Sequence, residues 1–105
     1  MKLIYVSGRY SATNNRHIED NIANARIVAE KLWARGWAVV CPHLNTAHME
    51  NIADYEVFME GDMEILSRCD AIYMVNGWLE SSGAVREHSF AESNRKFIMY
   101  EANND

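Results

Sequence analysis

Proline and glycine are scarce here, one and five residues respectively in 105. No Pro/Gly/Ser-rich linker, internal repeat or low-complexity tract interrupts the chain, so we expect one domain over residues 1–105 with one modest core. Cysteine is scarcer still. Cys41 and Cys69 each lie beside an expected strand, without CxxC spacing, and read as core residues rather than a disulfide. No apolar run approaches the ~20 residues needed to cross a membrane. The N-terminus lacks the basic-then-apolar layout of a signal peptide, so a cytoplasmic location is expected. Net charge is −5, with no basic stripe, which argues against nucleic-acid polymers as partners but leaves room for a small anion. Neither GxxxxGK[ST] nor GxGxxG occurs, and His43, His48 and His88 lack metal-ligand spacing. No metal or redox cofactor is expected.

What is present is an alternation of strands and helices. The run 3–7 is apolar on both faces, as a buried parallel strand must be. A polar, breaker-rich loop follows to about residue 15. Ile18, Ile22, Ala25, Ala29 and Leu32 then recur at helical spacing, and Gly36 ends that helix. Further strands are expected at 37–41, 71–75 and 96–100, with helices at about 54–68 and 82–94. Residues 43–53 show no clean period and read as a loop or short turn of helix. The order βαβαβαβ implies a doubly wound α/β sandwich on a parallel sheet of about four or five strands, with ligands bound at the strands' C-terminal ends.

Two acids stand out on these elements. On the helix 54–68, Tyr55, Phe58, Met59, Met63, Leu66 and Cys69 form one apolar arc, and Asp62 falls near its middle. A carboxyl there is either a structural group paired within the fold or one held for proton donation, since burial raises its pKa. Glu87 borders the inner face made by Ala84, His88 and Ala91, as an ordinary boundary residue or as a second catalytic acid. Tyr5 lies in the buried first strand, where its hydroxyl needs a partner.

The stretch from Asp70 to Ala91 combines a strand, a turn and the Ser81-Ser82-Gly83 start of a helix. First-turn N–H groups have no partner within a helix, so this start can cradle an anion. Ser7-Gly8-Arg9 is a strand-end turn with a cation, and His43 follows Pro42 just past the end of the second strand; both fall in the expected ligand region. Trp78 reads as exposed at a loop tip, a platform for a base or an interface residue.

Tyr5 with Ser7-Gly8, the segment Asp62-Met63-Glu64-Ile65-Leu66-Ser67-Arg68-Cys69-Asp70, and Ser81-Ser82-Gly83-Ala84-Val85-Arg86-Glu87 resemble, in order and spacing, the nucleoside 2-deoxyribosyltransferase superfamily. That superfamily includes the 2'-deoxynucleoside 5'-phosphate N-hydrolases, and the Asn-Gly-Trp and Ser-x-Gly-Ala-x-x-Glu pieces resemble a short, largely phage and bacterial branch. The resemblance implies a flavodoxin-like fold and scission of an N-glycosidic bond. It matches Glu87 to the glutamate that attacks the anomeric carbon, Asp62 to the acid that assists the departing base, and Tyr5 to a tyrosine touching the nucleophile. Ser81 matches a serine that holds a 5'-phosphate, and His43 a histidine near it. It further implies a homodimer or higher homo-oligomer whose subunits complete each other's sites. Arg9 or Arg16 would replace the first-loop arginine of the hydrolases, and Asn103 or Asn104 the C-terminal segment of longer members. The turn before Ser81, with Trp78 and Glu80, departs from the hydrolases.

The expected function is hydrolysis or base transfer at the N-glycosidic bond of a small nucleotide. Catalysis falls to Glu87, Asp62 and Tyr5, and substrate or phosphate binding to Ser7, Gly8, Arg9, His43, Ser81, Ser82 and Gly83. Two alternatives stay open, an N-glycosidase acting on a signalling and even cyclic nucleotide, and a non-catalytic module that sequesters one.

Overall fold

The computed structural model describes residues 1–10 and 15–102. Residues 11–14, within the first expected loop, and 103–105, with Asn103 and Asn104, lie outside the described residues, as does the Arg16 side chain. The elements run β1 (Leu3–Ser7), α1 (Asn15–Ala34), β2 (Ala38–Val40), α2 (Pro42–Asn45), α3 (Tyr55–Ser67), β3 (Ala71–Met74), a 3-10 turn (Trp78–Glu80), α4 (Ser82–Ser93) and β4 (Phe97–Tyr100). The strands form one sheet in the order β2-β1-β3-β4, and every pairing is parallel. This is the expected flavodoxin-like α/β fold, with four strands among the described residues.

Side chains alternate between the faces of a strand. In β1, Ile4 and Val6 therefore point to one face, where Ala25, Val28, Ala29 and Leu32 of α1 cover them together with Ala71 and Tyr73 of β3. Tyr5 points to the other face with Ile72 and Met74, under Leu66 of α3 and Ala84 and Ala91 of α4. Ser7, two positions on, shares the face of Tyr5. Cys41 and Cys69 are buried and free, as core residues.

The chain leaves β1 for β2 on one side and returns to β3 on the other. Loops diverge from the C-terminal ends of β1 and β3 at this reversal, which opens a crevice there. Two glycines fit the chain around it. Gly36 ends α1 at φ +93°, in the left-handed region open to glycine. A Cβ on Gly8 would stand 2.9 Å from the Val75 Cβ, so only glycine lets the end of β1 lie against the end of β3.

The strands are shorter than the apolar runs suggest. β2 lacks Trp37 and Cys41, β3 lacks Val75, and β4 lacks Lys96. Part of the irregular stretch 43–53 forms α2, which Pro42 opens at its first position. Trp78 is not exposed at a tip. It is half-buried and stacks on His88 with ring centroids 4.4 Å apart, while His88 Nε2 lies 2.8 Å from the Tyr100 hydroxyl.

Candidate active site

Helix α4 positions the central group. Ala84, Glu87 and Ala91 are spaced three and four residues apart, so they lie on one stripe of the helix, and all are buried. The two alanines let the helix approach the sheet, and the longer side chain between them is driven toward β1. There the Tyr5 hydroxyl donates to Glu87 Oε2 at 2.6 Å and the Ser7 hydroxyl donates to Oε1 at 2.6 Å. The even spacing of Tyr5 and Ser7 makes this fork possible. Each carboxylate oxygen keeps further lone-pair capacity after accepting one hydrogen bond.

Glu87 is 6% exposed. Burial pushes its pKa up to about 7; the Ser7 and Tyr5 hydrogen bonds pull against that rise, and the charge of Asp62 adds to it. Burial drives the Tyr5 phenol far above its ordinary value, so it stays protonated and serves as a donor. Asp62, from α3, is half-buried rather than centred in the core, and burial raises it to about 6.

Asp62 and Glu87 line one cavity of about 210 Å³, together with Gly8, His43, Ser81 and Gly83. Tyr10, Glu50, Tyr55, Phe58 and Met59 complete much of its wall. Among the described residues, no lysine or arginine lines it. Ser81 caps α4, its hydroxyl oxygen accepting from the Ala84 N–H at 3.1 Å, so one first-turn donor is already satisfied. A Cβ on Gly83 would stand 2.8 Å from the Tyr55 hydroxyl and 3.4 Å from Met59 Sδ. Glycine at this position lets the tyrosine lie over the helix start.

Several residues read from the sequence as ligand contacts are placed differently. Ser7 is committed to Glu87 beneath the cavity. Ser82 is exposed and does not line it. Arg9 also stands outside the lining and pairs with Glu80 at 2.8 Å. His43 lines the cavity, but its Nε2 donates to the Arg9 carbonyl at 2.5 Å, since a carbonyl can only accept. Burial lowers its pKa and favours the neutral ring. Its Nδ1 is then an unprotonated acceptor, buried and without a hydrogen-bond partner among the described residues. Tyr55, Phe58 and Met59 carry the helical period of a core stripe, so spacing alone gave no sign that they wall a cavity. Tyr10 and Glu50, joined by a hydrogen bond, come from loops whose pairing leaves no local pattern.

A family model described as Domain of unknown function (DUF4406) matches residues 2–100. No curated protein matches the chain. Among solved structures, the fold is similar to that of a 2-desoxiribosyltransferase from Leishmania mexicana, with a TM-score of 0.63 and 18% identity. The match covers 95% of this chain and 63% of that one, so this chain spans less than two thirds of that protein's length. At this identity the likeness shows the shared fold.

Proposed function

The chain belongs to the DUF4406 family, and we propose that it is an N-glycosidase, cleaving the bond between sugar and base in a small nucleotide. The observation that carries this reading is the buried Glu87 carboxylate, held by Tyr5 and Ser7 at a cavity shared with Asp62. Two carboxyls of raised pKa at one cavity are the working parts of glycoside cleavage, one as nucleophile and one as proton donor. The likeness in fold to the Leishmania desoxiribosyltransferase supports the same reaction class.

The mechanism assigned to this geometry runs in two steps. An oxygen of ionised Glu87 bonds to the anomeric carbon as the C–N bond breaks. The bond's electron pair leaves with the base, and Asp62 supplies the base's proton. Tyr5 and Ser7 keep the carboxylate aimed as its charge changes. In the second step water, or another base, attacks the anomeric carbon and frees Glu87, and its proton returns to Asp62. The phosphate of the substrate sits at the start of α4, near Ser81 and Gly83, with Arg9 as the nearby cation. A homo-oligomer that completes the site belongs to the same proposal.

The test is release of free base from a panel of nucleosides and their 5'-phosphates, followed by chromatography. Release by the wild type that is lost in Glu87→Ala supports the reading. Ligand binding without release from any panel member contradicts it and favours a non-catalytic nucleotide-binding module.

A further inference from the structure

Arg9 and Glu80 face each other across the rim of the cavity. Arg9 follows Gly8 at the end of β1, and Glu80 precedes Ser81 at the start of α4; Gly8 and Ser81 both line the cavity. The guanidinium Nη1 donates to Glu80 Oε2 at 2.8 Å, with the two side chains 43% and 70% exposed. The Arg9 stem lies over the turn, its Cδ 3.7 Å from where a Cβ on Gly77 would stand. The backbone of Arg9 is fixed from below by the His43 ring. The anchor is therefore firm, while the charged end is exposed and exchangeable.

No lysine or arginine lines the cavity among the described residues, whereas Glu50, Asp62 and Glu87 do. An anion entering this cavity meets acids, and the arginine at the rim is already held by a carboxylate. We propose that Glu80 is a specificity-determining residue: it occupies Arg9 in place of an incoming phosphate and so sets how strongly the site prefers a phosphorylated ligand. This rests on the reading of the cavity as a nucleotide site. The exchange is feasible because an exposed ion pair is held weakly, while a phosphate monoester brings more than one negative charge and several acceptor oxygens. Glu80 opposes the phosphate twice, as rival for the guanidinium and as a like charge beside it.

The experiment is calorimetric titration of deoxynucleosides and their 5'-monophosphates into wild type, Glu80→Gln, Arg9→Met and the double variant, with thermal melts to check folding. Glu80→Gln is expected to tighten the monophosphate by about five- to tenfold relative to the nucleoside, and added salt to shrink that gain. Arg9→Met is expected to weaken the monophosphate, and the Glu80→Gln gain is expected to vanish in the Arg9→Met background. A ratio unchanged by Glu80→Gln, or a gain that persists without Arg9, overturns the inference while leaving the nucleotide site intact. Failure of both ligand classes to bind the wild type overturns the site reading and this inference with it.

Discussion

The Tyr5 phenol donates to Glu87 Oε2 at 2.6 Å, joining the first strand to the last helix across 82 positions of sequence. The bond lies in the interior, so the tyrosine is fixed as a donor and the glutamate as its acceptor. Removing it with Tyr5→Phe takes away a bond that favours the charged carboxylate, so the Glu87 pKa is expected to rise further. Base release should fall about ten- to a hundredfold, the scale of a hydrogen bond to a charged group. A pH–rate profile of the variant checks both effects; an unchanged profile would show that the bond holds structure only.

Activity should follow a bell in pH. Glu87 must be ionised and Asp62 protonated, and burial places the two at about 7 and about 6. The pair titrates together, so the limbs belong to the dyad and the optimum lies between these values. Asp62→Asn should leave a single ionisation. It should sit lower than the wild-type upper limb, because the charge of Asp62 is one of the forces raising Glu87. Measurement of kcat/KM across the range decides this.

Much of the architecture was legible in the sequence and some of the site was not. Apolar runs and helical periods located the strands and the main helices, because burial of whole faces imposes those periods. Glu87 was legible as an acid near the inner face. Its place at the centre of the α4 stripe depends on how closely Ala84 and Ala91 let the helix approach, and spacing does not reveal that. Asp62 sits on the apolar arc of α3, yet that arc opens onto a cavity, which leaves the acid half-exposed. Gly83 read as part of an anion cradle. The tyrosine above it comes from another helix, and such a pairing leaves no mark in local sequence.

Glu87 should reduce stability as pH rises. Its pKa in the fold is about 7 against an ordinary value of 4.5. The folded state therefore holds this proton more tightly than the unfolded state. Stability is favoured at low pH and is lost as pH climbs through the window between those values. The loss is about 3 kcal/mol for a group this buried. Thermal melts of Glu87→Gln against wild type should diverge in the variant's favour, by several degrees, from about pH 5 to about pH 8. A constant difference would contradict the burial argument.

Gly83→Ala should separate binding from folding. The added Cβ meets the Tyr55 hydroxyl, the far end of a side chain that is 53% exposed and can swing away. Alanine also suits a helix better than glycine, by less here than the ~1 kcal/mol of an interior position because Gly83 lies in the first turn of α4. The melting temperature should hold or rise slightly while ligand affinity falls. Gly8→Ala should instead lower the melting temperature, because its Cβ would press on the Val75 Cβ, and overpacking of that kind destabilises by about 1–3 kcal/mol.

Whether Glu87 bonds to the sugar is decided by quenching a single turnover with the best substrate and weighing the peptide that contains Glu87. We expect a transient gain equal to one sugar unit on that peptide, formed as base is released and absent from Glu87→Gln. Base released at the wild-type rate by Glu87→Gln, with no sugar ever found on the peptide, would contradict it.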